Sequence, residues 1–379
     1  MSSGLTRGQL LDRATRLLPV LRERAGRAEQ LRQIPPETVK DLVSSGLVRV
    51  GTPDRYGGHG LDLDAGHAVG WELGRACGST AWVCSLWIVH NWWLGHFPSA
   101  AQDEYFAGGP DTLSSTCINP AGGRAEPARG GVRDSGRWSF SSGCDASAWV
   151  MVAVPGPGPG GALWLLVPRS DCEIVDTWFA SGMRGTGSKD VVVRDAFVPD
   201  HRRLDPDRAG DAEHTGWELH GRLSYRVPLR LLVGWDLAAP LIGIAQGAVD
   251  EFTSRVRAAA GRGADTAALH LRLAESAAEV DAARTIHRTD VAEMLERAAA
   301  ERPFTELDRA RYRRDKGFLT RLCVRAVNRL FEAAGARAMM DAEPLQRFHR
   351  DAHGASHHTA LAWDAAAEAF GREAARPQP

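Results

Sequence analysis

Trp178-Phe179-Ala180-Ser181-Gly182-Met183-Arg184-Gly185-Thr186-Gly187-Ser188-Lys189-Asp190-Val191, with Phe197-Val198-Pro199 close behind, is the stretch on which the fold turns. Three glycines in six residues mark a turn, and the valines after it mark strands. Backbone N–H groups in such a turn form anion-binding nests, and an arginine adds bidentate pairing. Arg184, Thr186 and Ser188 are therefore candidate cofactor-binding residues, with a plain hairpin turn as the alternative reading. The turn lies between strand-like runs and does not open a helix. It is not the dinucleotide fingerprint, and no strand is followed by a G-x-G-x-x-G that opens a helix. NADH binding in that familiar way is not expected.

Outward from this turn the character stays β. Trp149–Val154, Ala162–Val167, Asp190–Val193 and Ala196–Val198 read as strands. Gly122-Gly123, Gly130-Gly131, Gly136 and the run Pro155–Gly161 punctuate them. The middle region, residues 111–215, is expected to be a small β-barrel or sandwich. On either side the pattern is helical. In residues 1–110, Leu10, Leu11, Ala14, Leu17, Leu18 and Leu21 recur at helical spacing, Pro35-Pro36 opens a second helix, and residues 64–97 continue with Ser79 as an internal cap. In residues 216–379, long alanine-rich amphipathic runs predict helices over 232–256, 266–300, 308–334 and 344–372, which together make a four-helix bundle.

The bulk numbers are those of an ordinary enzyme. The chain has 379 residues, a net charge of −1 and six scattered cysteines without C-x-x-C. No charge bias draws it to nucleic acid, and no long apolar run or apolar leader predicts a membrane span. Unpaired thiols suggest a cytoplasmic protein. Twelve tryptophans against four tyrosines are unusual, and Trp82, Trp87, Trp92 and Trp93 surround His90 in one segment. They are either helix core or an aromatic wall for a flat ligand. His349, His353 and His357 share a helix face, but no carboxylate accompanies them, so no metal site is expected.

Several segments together resemble one family. Tyr56-Gly57-Gly58-His59-Gly60 is similar to the YGG-x-G loop of the acyl-CoA dehydrogenase superfamily, and Ser139-Phe140-Ser141-Ser142-Gly143 stands where its dehydrogenases have W-I-T-N-G. The segment 178–199 resembles the G-x-R-G-T-G-S…F-V-P signature of the superfamily's group D flavin-dependent monooxygenases. Arg350-Asp351-Ala352 resembles the RDA segment of the dehydrogenases, which place a glutamate base about eight residues later. Here that place falls at Thr359, beside His357 and His358, and no carboxylate occurs between His353 and Trp363. A thioester α-proton needs a carboxylate base, whereas a histidine suits a phenol or peroxide proton. The resemblance spans about residues 10 to 373.

This resemblance implies a mainly α fold with a central β-barrel and a C-terminal four-helix bundle, in a homotetramer. It implies O2 and reduced flavin (FMNH2 or FADH2) as co-substrates, the flavin coming from a separate NAD(P)H-dependent reductase. Through a C4a-hydroperoxyflavin, a phenol or other electron-rich aromatic would be hydroxylated. The tryptophans hint at a bulky polycyclic one. By the same resemblance Ser141 or Ser142 would contact flavin N5, and His357 or His358, with His358 favoured, would manage the peroxide proton. His90 would act at the substrate hydroxyl with Ser115 sharing the contact, and Trp87 and Trp92 would line the substrate. Phe331–Arg337 replaces the dehydrogenase Q-x-F-G-G-x-G loop, which makes Gly335 and Arg337 candidates for a neighbouring subunit's cofactor. Two glycines lost there tilt the choice toward FMN. The alternatives are N- or S-oxygenation, an acyl-CoA dehydrogenase using a base such as Asp364, and a non-catalytic binding protein.

Overall fold

Local chemistry sets where the helices begin. Thr6 and Gln9 form a capping box at the head of α1 (Arg7–Leu31), and a proline at the first position opens α2 (Pro36–Ser44). A computed structural model describes residues 4–158 and 160–376. Met1–Ser3, Pro159 within the Pro155–Gly161 run and residues 377–379 lie outside the described residues. The helical pattern over 64–97 resolves into α3 (Leu63–Gly74) and α4 (Gly78–Leu94), followed by α5 (Ser99–Tyr105). The cap position of α4 is Cys77, not Ser79, because the chain already turns at Arg75 and Ala76. Every residue of α4 is buried, so it is a central helix with no polar face.

The middle region contains β1 (Ser114–Cys117), β2 (Gly123–Ala128), β3 (Gly131–Ser141), β4 (Trp149–Pro155), β5 (Ala162–Pro168), β6 (Cys172–Val175), β7 (Lys189–Pro199) and β8 (Arg203–Leu204). They form two four-stranded sheets, β1-β4-β5-β8 and β2-β3-β7-β6. The expected barrel is corrected to this pair of sheets, since among the described residues no strand pairing joins them. Valines of β3 and β7 meet those of β4 and β5 in a shared core, and Trp138 donates its indole N–H to the Ala153 carbonyl at 2.7 Å, from one sheet to the other. The two strands read at 190–193 and 196–198 are one strand, β7. An irregularity in its pairing with β3 and a left-handed Asp195 (φ 51°) bend it without ending it.

The C-terminal part contains α6 (Thr215–His220), α7 (Leu229–Leu232), α8 (Trp235–Gly261), α9 (Ala267–Ala299), α10 (Glu306–Ala333), α11 (Pro344–Ser356) and α12 (Trp363–Ala374). Leu229–Gly261 is long and apolar enough to cross a bilayer, but its apolar stretch is mostly buried among the other helices, as in a core helix. The single helix expected over 344–372 is two. The break comes at His357–Ala362, where the His358 side chain accepts from the Ala360 amide at 3.2 Å and starts a short 3-10 turn.

One inward residue of β3 opposes its surroundings. Asp134 is fully buried between the sheets, and neither carboxylate oxygen has a hydrogen-bond partner. Burial pushes its pKa up to about 7. A raised carboxylate pKa means the folded state binds the extra proton, so stability falls as pH rises from about 4 toward 7. Asp134→Asn is expected to raise unfolding free energy more at pH 8 than at pH 5, the difference being on the order of 2 kcal/mol. Urea titrations at both pH values check it, and an equal or negative effect would contradict it.

Candidate active site

Strand register brings the sequence-predicted hydroxyls together. Ser141, the last residue of β3, pairs with Lys189, the first of β7. The segments beyond both strand ends must therefore run side by side. The Gly143 amide donates to the Thr186 carbonyl at 2.8 Å, and Ser142 Oγ, Ser188 Oγ and Thr186 Oγ1 form a chain at 2.7 and 2.6 Å. Gly143 is left-handed (φ +71°), and a side chain there would press on Val83 and on Trp87 Nε1. Its bare backbone lets the strand end meet α4.

Ser141 behaves differently from its neighbour. Its hydroxyl is fully buried and donates to Ser115 Oγ at 2.9 Å. This corrects the expected partnership of Ser115 with His90. Side chains alternate along β1, so Ser115 and Ser141 face the β core while Ser114 and Thr116 face α4. His90 Nδ1 lies 2.7 Å from the Ser114 carbonyl, and Nε2 lies 3.1 Å from Thr116 Oγ1. A carbonyl only accepts, so Nδ1 carries the proton and Nε2 accepts from the threonine. His90 is fully buried, which lowers its pKa to about 4, against a smaller opposing contribution from the Ser114 carbonyl. It is neutral at pH 7, and Thr116, half-buried, is the group in front of it.

The tryptophans divide. Trp87 packs against Gly143, with its indole N–H unpaired. Trp92 does not join the site: its N–H goes to Ser224 Oγ at 3.1 Å and its ring stacks on Tyr225. Trp82, which the sequence reading left without a role, has its ring 5.8 Å from that of His358.

His357 and His358 separate as expected, but for another reason. The helix ends at Ser356, so neither is inside it. His357 is exposed and turns back onto the His353 carbonyl at 2.7 Å, whereas His358 is half-buried. Because His358 Nδ1 accepts the Ala360 N–H, its own proton sits on Nε2. Burial first, and Lys316 second, lower its pKa to about 4. His349 stacks on Phe331 and His353 meets Asn328 at 2.7 Å, so that face of α11 is occupied by packing. Among the described residues no cluster of metal-ligating side chains occurs.

The Arg350-Asp351 pair of the RDA segment is a clip. Asp351, fully buried, accepts the Met183 amide at 2.6 Å, and Arg350 donates to the Ser181 carbonyl at 2.8 Å. Arg347 and Arg350 also pair with Glu29 of α1. One helix thus holds the glycine-rich turn in place. Burial pushes the Asp351 pKa up to about 7, against the Met183 N–H.

Gly335 and Arg337 are not brought to this site. Arg337 stands on the surface after α10 and pairs with Glu343 at 3.1 Å. A cavity of about 240 Å³ beside Asp351, lined among others by Arg22, Arg75, Asp250 and Arg347, is also apart from the hydroxyls and from His358. Its arginines are balanced by carboxylates, and no serine or threonine of the hydroxyl cluster reaches it.

The residues at the strand ends fit a flavin. Phe140, in the left-handed region (φ 71°) at a pairing irregularity, is 70% exposed with its ring edge-on to Trp178. Holding a bulky residue there costs on the order of 1–3 kcal/mol, and such strain collects at functional sites. Beside it are the Ser142–Ser188–Thr186 hydroxyls and Arg184, whose Nε is buried without a partner. Among the described residues Arg184 makes no ion pair. An aromatic shelf, polar edges and a free cation suit a flat ring with hydrogen-bonding edges and an anionic tail.

Comparison with known proteins agrees. Residues 14–108 match the N-terminal domain of acyl-CoA dehydrogenases, and residues 236–363 match the C-terminal domain. The flavin-dependent monooxygenase oxygenase subunit HsaA of Rhodococcus jostii (strain RHA1) is 37% identical over 361 residues, covering 92% of this chain and 94% of HsaA. The oxygenase component of an FADH(2)-dependent resorcinol hydroxylase from Rhizobium sp. (strain MTP-10005) is 33% identical, covering 96% and 93%. The crystal structure of the HsaA monooxygenase from M. tuberculosis superposes with a TM-score of 0.92 at 36% identity, covering 98% of this chain and 100% of that one. The chain belongs to the acyl-CoA dehydrogenase family. Within that family it is a flavin-dependent monooxygenase of the oxygenase-component type.

The clip gives a direct test. Asp351→Ala leaves the Met183 N–H buried and unpaired, which should cost about 1–3 kcal/mol in unfolding free energy. Asp351→Asn keeps an acceptor and should lose less. Urea unfolding of both variants checks the order, and equal losses would contradict the clip.

Proposed function

We propose that this chain is the oxygenase component that hydroxylates a phenolic or other electron-rich aromatic, a bulky polycyclic one included, using O2 and reduced flavin from a separate NAD(P)H-dependent reductase. The observation that carries the reading is the line Thr116–His90. When bound, reduced flavin supplies the two electrons that activate O2. The Ser142–Ser188–Thr186 hydroxyls and Arg184 would hold its polar groups, with Phe140 and Trp178 as the aromatic surface beside them.

With Thr116 Oγ1–H donated to His90 Nε2, the threonine oxygen remains free to accept from a phenol. Magnitudes decide what the histidine does. A phenol titrates near 10 and His90 near 4, so full proton transfer would be uphill by about 8 kcal/mol. A phenolate beside the ring would raise the histidine by about 1–3 units, which is not enough. His90 therefore orients and polarises the hydroxyl through Thr116 and does not deprotonate it. His358 offers an N–H donor from Nε2, which can hydrogen-bond to a lone pair on the oxygen side. This set favours a phenol over an amine or a sulfide, which have no acidic O–H to receive.

An acyl-CoA dehydrogenase is disfavoured by the absent carboxylate and by Asp364, which is exposed on α12. We also propose that the Gly335–Arg337 turn, with exposed Met339 and Met340 beside it, serves a neighbouring subunit in a homotetramer. Six unpaired thiols support a cytoplasmic setting.

The protein with reductase, NADH, flavin and a phenol panel should couple oxygen uptake to hydroxylated product. Thr116→Val should lower product turnover about 100-fold, with reduced-flavin affinity unchanged. Turnover of thiophenes or amino sugars in place of phenols would favour the other oxygenase reading. Oxidation of reduced flavin at its free-solution rate would overturn the monooxygenase assignment for this chain.

A further inference from the structure

A lysine lies behind His358, and no part of the function above uses it. Lys316, on α10, is 4% exposed, and its ammonium donates to the Val233 carbonyl at 2.5 Å. Its Nζ also lies 5.8 Å from the centre of the Trp235 ring. The residue that admits it is Gly234, left-handed at φ +90°. A Cβ on Gly234 would stand 2.9 Å from Lys316 Nζ and 2.7 Å from the Ala360 Cβ. The lysine head and the turn after His358 thus close on the two sides of one bare backbone position. Ala360 is the residue whose amide fixes His358.

The other charged and titratable groups around the lysine come from each packed element. Asp236 on α8 accepts the Gly234 amide at 3.0 Å, the His287 ring on α9 donates to the Trp235 carbonyl at 2.8 Å, and Arg313 lies on α10 with the lysine. Burial lowers the Lys316 pKa to about 8, with Asp236 opposing and Arg313 adding to the fall. Burial also lowers His287 to about 4, with Lys316 a lesser contributor in the same direction, and raises Asp236 to about 6. At pH 7 both Lys316 and Asp236 are charged, and of the two it is the ammonium that acts on His358.

We propose that Lys316 is a positioning residue of the active site: held under Gly234, its ammonium excludes a second proton from His358 and so keeps that ring a neutral Nε2–H donor. Two devices then act together. The Ala360 N–H, a donor, faces Nδ1 and leaves no room for a proton there. The lysine penalises any positive charge on the ring. A neutral donor can hydrogen-bond to an oxygen without transferring its proton as an imidazolium would, which guards against early loss of peroxide. This inference rests on the reading that His358 faces the flavin site.

The test begins on the protein without flavin. In ¹⁵N-histidine NMR, wild-type His358 should show a protonated Nε2 and no titration above about pH 5. Lys316→Met should raise its midpoint by one unit or more, a tenfold change in the acid constant, and Lys316→Arg should keep it low. Should Lys316→Met fail to fold, the wild type still answers, because the His358 resonances should shift as Lys316 titrates near pH 8. An unchanged His358 midpoint in folded Lys316→Met, or no such shift in wild type, overturns the proposal. With reduced flavin, a phenol and O2, Lys316→Met should release more H2O2 per product, and Lys316→Arg should restore coupling. Loss of the NMR coupling with intact wild-type hydroxylation sinks only this proposal. NMR coupling without any wild-type use of reduced flavin sinks only the functional reading.

Discussion

The hydrogen bond from the Met183 amide to the buried Asp351 carboxyl joins the parts of the molecule that make the site. It ties the glycine-rich turn, which belongs to the β region, to α11, which belongs to the helical bundle. Arg350 adds the Ser181 carbonyl and Glu29 of α1 to the same junction. Pairing of β3 with β7 lays the turn 183–188 against the end of β3, and the clip fixes that turn to the helical bundle. The hydroxyl chain of Ser142, Ser188 and Thr186 depends on that apposition. An RDA segment that looked like a family marker is a mechanical clip, and its aspartate is buried for that purpose.

The chemistry of the site follows from what is missing as much as from what is present. No carboxylate stands where a thioester base would, and the histidines that do stand near are kept neutral by burial. Neutral imidazoles whose tautomers are set by a backbone carbonyl or amide act as directed donors and acceptors and not as strong acids or bases. His90 points an acceptor at Thr116, and His358 points a donor from beside Trp82. Such a pair suits a reaction in which protons must be held in place while a bond to oxygen is made.

Much of the fold was legible in the sequence. Apolar spacing located α1, α8, α9 and α10 within a few residues, because amphipathic helices write their buried face into a 3.6-residue period. Strand positions were also visible, but whether they close into a barrel depends on pairing between distant edges, which alternation does not encode. The break between α11 and α12 was missed because no glycine or proline marks it. A histidine side chain caps the next turn instead. Ser115 was named and Thr116 was not, because a four-residue strand does not reveal which of its faces meets α4. Lys316 was invisible: a lysine in a helix rich in arginine reads as surface, and only the packing of Gly234 and Ala360 shows it buried.

The most direct test of the account is a crystal structure of the assembled protein grown with reduced FMN or FADH2. The account predicts the flavin ring against Phe140 and Trp178, with its polar edge on Ser142 and the Arg184 turn and His358 facing it. A flavin seated in the cavity of Arg22, Arg75 and Arg347, with Ser142 and Arg184 untouched, would contradict it.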